Sequence, residues 1–241
     1  MQCHRSAGPL DKSLSAPVSL GGLFGPDSSD EEGGDGRGCF DNTPQESHVQ
    51  LGGVSLRLLE RPFHPLNANA VWPGAHVLAD WCRENVELLR GRRLLELGSA
   101  TGAFALFAVT AGLDVTTSDV DDGEVEETIA SNFALNGFVQ PPPHWPHTWG
   151  GEVPATMRGA FHYVLASDVL LYCSSYDALV RTLTALCSPW EGRLGAIVIM
   201  SWQRRLPESA QFFQLAQTAG FKVEQMERLM YKLSWQLPEL D

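Results

Sequence analysis

The sequence predicts an α/β fold: a mostly parallel sheet with helices on both faces, a small N-terminal β-hairpin, and a C-terminal antiparallel hairpin. Three observations carry this. From residue 93 onward, short apolar runs alternate with segments of helical periodicity, which is the signature of parallel strands joined by crossover helices. Lys222–Met226 and Met230–Leu233 follow one another with no helix between them, so they pair antiparallel. His48–Leu51 and Val54–Leu58 flank Gly52-Gly53, a two-residue hairpin turn.

In chain order, Gly74–Leu89 reads as one helix. Val77, Leu78, Trp81, Cys82, Val86 and Leu89 recur in it at spacings of three and four. Arg93–Leu97 is a short apolar strand, and Phe104–Ala111 is a helix closed by Gly112. Asp114–Ser118 is a strand and Val125–Leu135 a helix ending near Asn136-Gly137. Gln140–Pro146 is proline-rich and reads as a loop. Phe161–Ala166 is a strand, and Tyr176–Leu186 a helix with Leu179, Val180, Leu183 and Leu186 on one face. Leu194–Met200 is the most apolar strand, and Ser209–Ala219 a helix closed by Gly220.

Residues 1–46 read as a disordered acidic tail, and 47–241 as one folded domain. The tail is dominated by Gly, Asp, Glu and Ser, and cannot bury enough apolar surface to offset chain entropy. Its run Asp27-Ser28-Ser29-Asp30-Glu31-Glu32 has the look of an acidic phosphorylation site, or of a plain solvated tail. The whole chain carries a net charge of −12. That balance and the lack of any Lys/Arg block argue against nucleic acid and fit a basic protein partner. Five scattered cysteines with no C-x-x-C pair read as reduced thiols. No stretch of 18 apolar residues implies a membrane span, and no basic start with an apolar run implies a secretory signal. The expectation is a monomer in the cytoplasm, and in the nucleus as well.

Ligands of open α/β sheets bind outside the carboxyl ends of the strands. Three loops at that edge are unusual. Leu97-Gly98-Ser99-Ala100-Thr101-Gly102 is rich in small residues that let a ligand lie against backbone, and it opens a helix. It does not match G-x-G-x-x-G, because Gly102 falls four places after Gly98. Asp119 ends the second strand, where a carboxylate can accept both ribose hydroxyls, with Asp121 as an alternative. Asp121, Asp122 and Glu124 otherwise read as a helix N-terminus. Ser167-Asp168 ends the strand from Phe161, as active-site lining or as a helix cap. Trp72 and Trp149 could wall an adenine ring or belong to the core. His144 and His147 read as polar loop residues, and no histidine spacing indicates a metal.

Val71-Trp72-Pro73-Gly74, Leu94–Gly102, Thr117-Ser118-Asp119, Thr148-Trp149-Gly150 and Ala166-Ser167-Asp168-Val169 occur in that order. Together they resemble the seven-β-strand protein methyltransferases of family 16, the lysine-methyltransferase-like group. Met200-Ser201-Trp202-Gln203-Arg204-Arg205 is similar to a plant-type branch. The resemblance covers about residues 48–235. It implies a seven-stranded Rossmann-like methyltransferase sheet, S-adenosylmethionine as methyl donor, and a protein side chain, usually lysine, as acceptor. It further implies that Trp72 lines the cofactor pocket and that Gly98, Ser99, Ala100 and Gly102 form the loop along the methionine part. Asp119 would hold the ribose, Trp149 would flank the adenine and Ser167 would close the site. Glu96 would orient the loop or the cofactor amine, Asp168 the incoming acceptor amine, and Tyr172 would shape its channel.

Two positions depart from the family pattern. Ala100 replaces the second glycine of E-L-G-x-G-x-G, which a negative φ would accommodate. The lysine-modifying members carry D-x-x-Y, but here Leu171 holds the tyrosine position and Tyr172 follows one place later. An arginine or small-molecule acceptor, or a non-catalytic binding role, therefore remains open.

Overall fold

Nine strands and six helices build the described part of the chain, which in this computed structural model comprises residues 41–171, 175–202, 207–227 and 229–237. Strands β1 (Gln45–Leu51) and β2 (Val54–Glu60) form a separate antiparallel hairpin in which Leu51 pairs with Val54. β1 begins two residues inside the expected tail, whose residues 1–40 lie outside the described ones. Alternation explains the hairpin: Leu56 and Leu58 turn to the core and the residues between them to solvent.

The main sheet contains β3 (Arg93–Leu97), β4 (Asp114–Asp119), β5 (His144–Pro146), β6 (Tyr163–Ser167), β7 (Ile197–Ser201), β8 (Phe221–Gln225) and β9 (Met230–Trp235). Their spatial order is β5-β4-β3-β6-β7-β9-β8, with β9 antiparallel to both neighbours. The switch in winding direction falls between β3 and β6. Helices α1 (Pro73–Glu84), α3 (Ala103–Thr110) and α4 (Gly123–Leu135) share one buried cluster with the hairpin. Helices α5 (Tyr176–Cys187) and α6 (Gln211–Ala219) share the other. Leu94 and Leu165 enter the first cluster, Leu95 and Ala166 the second, so the strands are buried on both faces.

Three expectations change. The expected loop 140–146 contains β5, which supplies the seventh strand. Its prolines do not block pairing because the ladder uses the Pro143 carbonyl, which accepts from Thr117 N at 2.9 Å, and the His147 N–H, which donates to Asp119 O at 2.7 Å. An edge strand leaves the proline nitrogens facing away from the ladder. The single helix expected over residues 74–89 is broken at Asn85, after which α2 (Val86–Leu89) runs. The Asn85 amide donates to Trp81 O at 2.8 Å and ends the first helix there. Leu194 is exposed, and the strand expected from it begins at Ile197. No helix among the described residues is long and apolar enough to cross a membrane.

Candidate active site

The tips of β3, β4 and β6 lie side by side, and a cavity of about 520 Å³ opens over them. That is inside the roughly 300–1,000 Å³ of small-molecule sites. Gly98, Ala100, Asp119, Trp149, Ser167 and Asp168 line it, and Trp72 closes it from the start of α1.

Hydrogen bonds from the tip of β4 hold the loop after β3. Gly98 N and Ser99 N both donate to Ser118 O, at 2.8 and 3.1 Å. The Ala100 N–H donates to Asp119 Oδ2 at 2.7 Å, and Val120 N donates to Asp119 Oδ1 at 2.7 Å. Each carboxylate oxygen keeps acceptor capacity for a ligand hydroxyl. Burial raises the Asp119 carboxyl above its usual range, while the two N–H bonds and nearby His144 and His64 act the other way. Gly98 has φ +81, and a Cβ there would lie 2.9 Å from Val169 Cγ1 and 3.9 Å from the Trp149 ring. Only glycine leaves the approach to the cavity open at that point. Ala100 also adopts a positive φ, +45, so the negative φ that would accommodate its methyl group does not occur.

Three residues expected along the cofactor do not line the cavity. Ser99 is buried, and its hydroxyl accepts from Ser118 N at 3.1 Å and lies 3.3 Å from the carbonyls of Glu96 and Ser118. It ties the ends of β3 and β4 together. Gly102 caps the start of α3 with φ +76, packed against Ile129. Glu96 is buried on the α1 side of the sheet beside Cys82, whose thiol pKa is raised by burial first and by Glu96 second. Burial pushes its carboxyl well above the glutamate range; the Ser99 hydroxyl opposes that and the Asp119 charge adds to it.

Asp168 has a second task. Its Oδ2 accepts from Gly74 N at 2.7 Å, within the first turn of α1, and Ser201 Oγ donates to Gly74 O at 2.8 Å. A Cβ on Gly74 would lie 2.7 Å from Asp168 Cγ and 2.8 Å from Ser201 Oγ. Both readings of Asp168 meet here, except that the helix it caps is α1 and not the one that follows it. Asp168 itself adopts φ +52. Tyr172 lies outside the described residues, while Leu171 lines the cavity. Asp121 is exposed and away from the cavity. Asp122 caps α4 through Glu124 N at 2.9 Å, as expected for that acidic stretch.

Sequence reasoning missed two parts of the wall. His147 is no simple loop polar group: it lines the cavity, stacks on Trp145 at 4.3 Å, and meets Thr182 Oγ1 at 3.1 Å. Burial lowers its pKa. The segment Pro65–Ala68 forms the opposite wall. His64 Nδ1 braces it, accepting from Leu66 N at 3.1 Å and Ala68 N at 3.3 Å, and Trp72 Nε1 donates to Asn67 O at 2.9 Å. No periodicity marks that segment.

A glycine-bent loop, a strand-tip carboxylate and two indoles thus lie over one cleft. The family described as lysine methyltransferase matches residues 54–219. The chain belongs to the lysine methyltransferase family. EEF1A lysine methyltransferase 3 of Xenopus tropicalis is 26% identical over 177 residues, covering 72% of this chain and 75% of that protein. Protein N-terminal and lysine N-methyltransferase efm7 of Aspergillus fumigatus is 24% identical over 200 residues, covering 77% of each. Among solved structures, a 16S rRNA methyltransferase of T. thermophilus, determined with AdoMet and guanosine, superposes with a TM-score of 0.59 at 16% identity. The match covers 81% of this chain and 51% of that one, about half its length, and shows the shared methyltransferase fold. The donor with which that solved methyltransferase was determined is AdoMet, S-adenosylmethionine. The residues present fit it: an open backbone at Gly98, an acceptor pair at Asp119 and aromatic walls at Trp72 and Trp149 surround a cavity of suitable size.

Proposed function

We propose that this methyltransferase acts on a lysine side-chain amine of a protein, with Asp119 holding the ribose of S-adenosylmethionine and Trp149 flanking its adenine. The observation that carries the reading is the single cavity joining Gly98, Asp119 and Asp168. S-adenosylmethionine supplies an activated methyl group on a sulfonium, so displacement needs alignment and a dry site more than acid–base groups. This chain's part is positional. Gly98 and Ala100 present backbone along the donor, Trp72 and Pro65–Ala68 exclude water, and Asp168 orients the acceptor nitrogen. Glu96 acts through the loop it underlies. Tyr172 shapes the acceptor channel in this reading.

The names of the frog and fungal relatives, both lysine methyltransferases of proteins, support the substrate class. The net charge of −12 supports a basic protein partner over nucleic acid. The same reading has the protein working as a monomer in the cytoplasm and nucleus. The plant-type branch rests on residues 200–205 alone, and the relatives named above are animal and fungal. Leu171, which lines the cavity where lysine-modifying members carry tyrosine, favours as a second reading an arginine or small-molecule acceptor.

Incubation with tritiated S-adenosylmethionine and cell extract decides between them. Label in a protein band, released on hydrolysis as methyl-lysine, is the expected result. Label in methylarginine, or only in small molecules, overturns the lysine assignment.

A further inference from the structure

Asn132 of α4 is a fully buried polar side chain outside the cavity. Its Nδ2 donates to Thr101 O at 2.9 Å and to Leu59 O at 3.2 Å, and its Oδ1 accepts from Leu59 N at 2.6 Å. Thr101 lies between cavity-lining Ala100 and the Gly102 cap of α3. Leu59 is the last residue but one of β2, the strand that leads into Pro65–Ala68 and Trp72. One amide therefore ties the loop along the donor to the hairpin from which the chain continues into the opposite wall.

The spacing makes this possible. Asn136, one helical turn on, pairs in the same way with Arg57: Arg57 N donates to its Oδ1 at 3.0 Å, and its Nδ2 donates to Arg57 O at 2.6 Å. Four helical residues advance about 6.0 Å, and two strand residues about 6.8 Å. Two asparagines four apart on α4 thus meet alternate residues along the free edge of β2 and act as a substitute strand. Only Asn132 extends the pairing to the donor loop. Asn136 stops at the hairpin.

We infer that Asn132 is a positioning residue for methyl-donor binding: it fixes the Gly98–Gly102 loop against the hairpin, and through the hairpin against Pro65–Trp72. Asn136 shares its hairpin bonds but not that role, which makes it the internal control. This rests on the donor site described above and not on the identity of the acceptor.

Calorimetric titration of S-adenosylmethionine into the wild type, Asn132→Ala and Asn136→Ala, with a thermal melt of each, tests it. Both variants lower the melting temperature. Asn132→Ala weakens donor affinity about tenfold, the scale of one lost buried hydrogen bond, while Asn136→Ala stays within about twofold of the wild type. Asn132→Asp, which keeps the acceptor for Leu59 N, removes the amide donor to Thr101 O with little change in shape and also weakens donor binding. If Asn132→Ala folds and binds with wild-type affinity, or if both alanine variants lose affinity equally, the positioning role is wrong. If the wild type itself does not bind S-adenosylmethionine, it is the donor-site assignment that fails.

Discussion

At the scale of single residues, Ala100 and Glu96 are each at odds with their surroundings. Ala100 stands in the left-handed region at φ +45, where a Cβ meets its own backbone at about 1–2 kcal/mol. Ala100→Gly removes that strain but adds freedom to the unfolded chain, about 0.4–1 kcal/mol. The net expectation is a stabilisation of about 0.5 kcal/mol, seen as a small rise in melting temperature with donor affinity retained. Glu96 is the reverse case, a carboxyl whose folded pKa is held well above its ordinary value of 4.5 by burial. Between 4.5 and that raised value the folded protein binds more protons than the unfolded chain, so its contribution to stability falls as pH rises through this window. Melting curves at stepped pH above 4.5 should show the wild type losing stability relative to a variant that lacks this carboxyl. Glu96→Gln, neutral throughout, should flatten that slope.

At the scale of elements, the start of α1 has the most consequence for chemistry. Asp168 both lines the cavity and accepts from Gly74 N, so loss of activity in an alanine variant would not by itself assign a catalytic role. Asp168→Ala should lose the cap at about 1 kcal/mol. Asp168→Asn keeps an acceptor oxygen and should hold the melting temperature while turnover falls about tenfold; unchanged turnover would leave the carboxylate as a cap alone. Elements were also where the sequence was most and least legible. Helical spacing exposed α5, which buries one face, whereas β3 and β6 stood out as short apolar runs because both their faces are buried, and α3 and α6 by the glycines that close them. β5 escaped because three residues that follow a run of prolines and end in another show no period, and its pairing rests on the Pro143 carbonyl and the His147 amide. The site divides similarly. Gly98, Asp119 and Ser167-Asp168 were readable as unusual residues at strand tips. Pro65–Ala68 was not, since its place comes from the imidazole of His64 and the indole of Trp72 bonding to backbone, a long-range arrangement with no local signal.

At the scale of the whole molecule, two structures that share little sequence-local contact meet across the cavity. The doubly wound sheet supplies the donor loop, the strand-tip carboxylate and Asp168. The segment after the hairpin supplies the opposite wall, and the hairpin itself is joined to the sheet side through α4. A ligand lying between two such walls contacts only the folded arrangement, so its binding energy adds to stability by mass action. At a hundred times its dissociation constant, S-adenosylmethionine should stabilise the fold by about 2.7 kcal/mol, and for a domain of this size each kcal/mol raises the melting temperature by about 2–4 °C. Asp119→Ala should abolish most of that shift, because the carboxylate is both the hydroxyl acceptor and the anchor of the Ala100 N–H. A thermal melt with and without the donor measures both. A wild-type shift that survives Asp119→Ala undiminished would move the donor away from the tip of β4, and with it the geometry on which the lysine assignment depends.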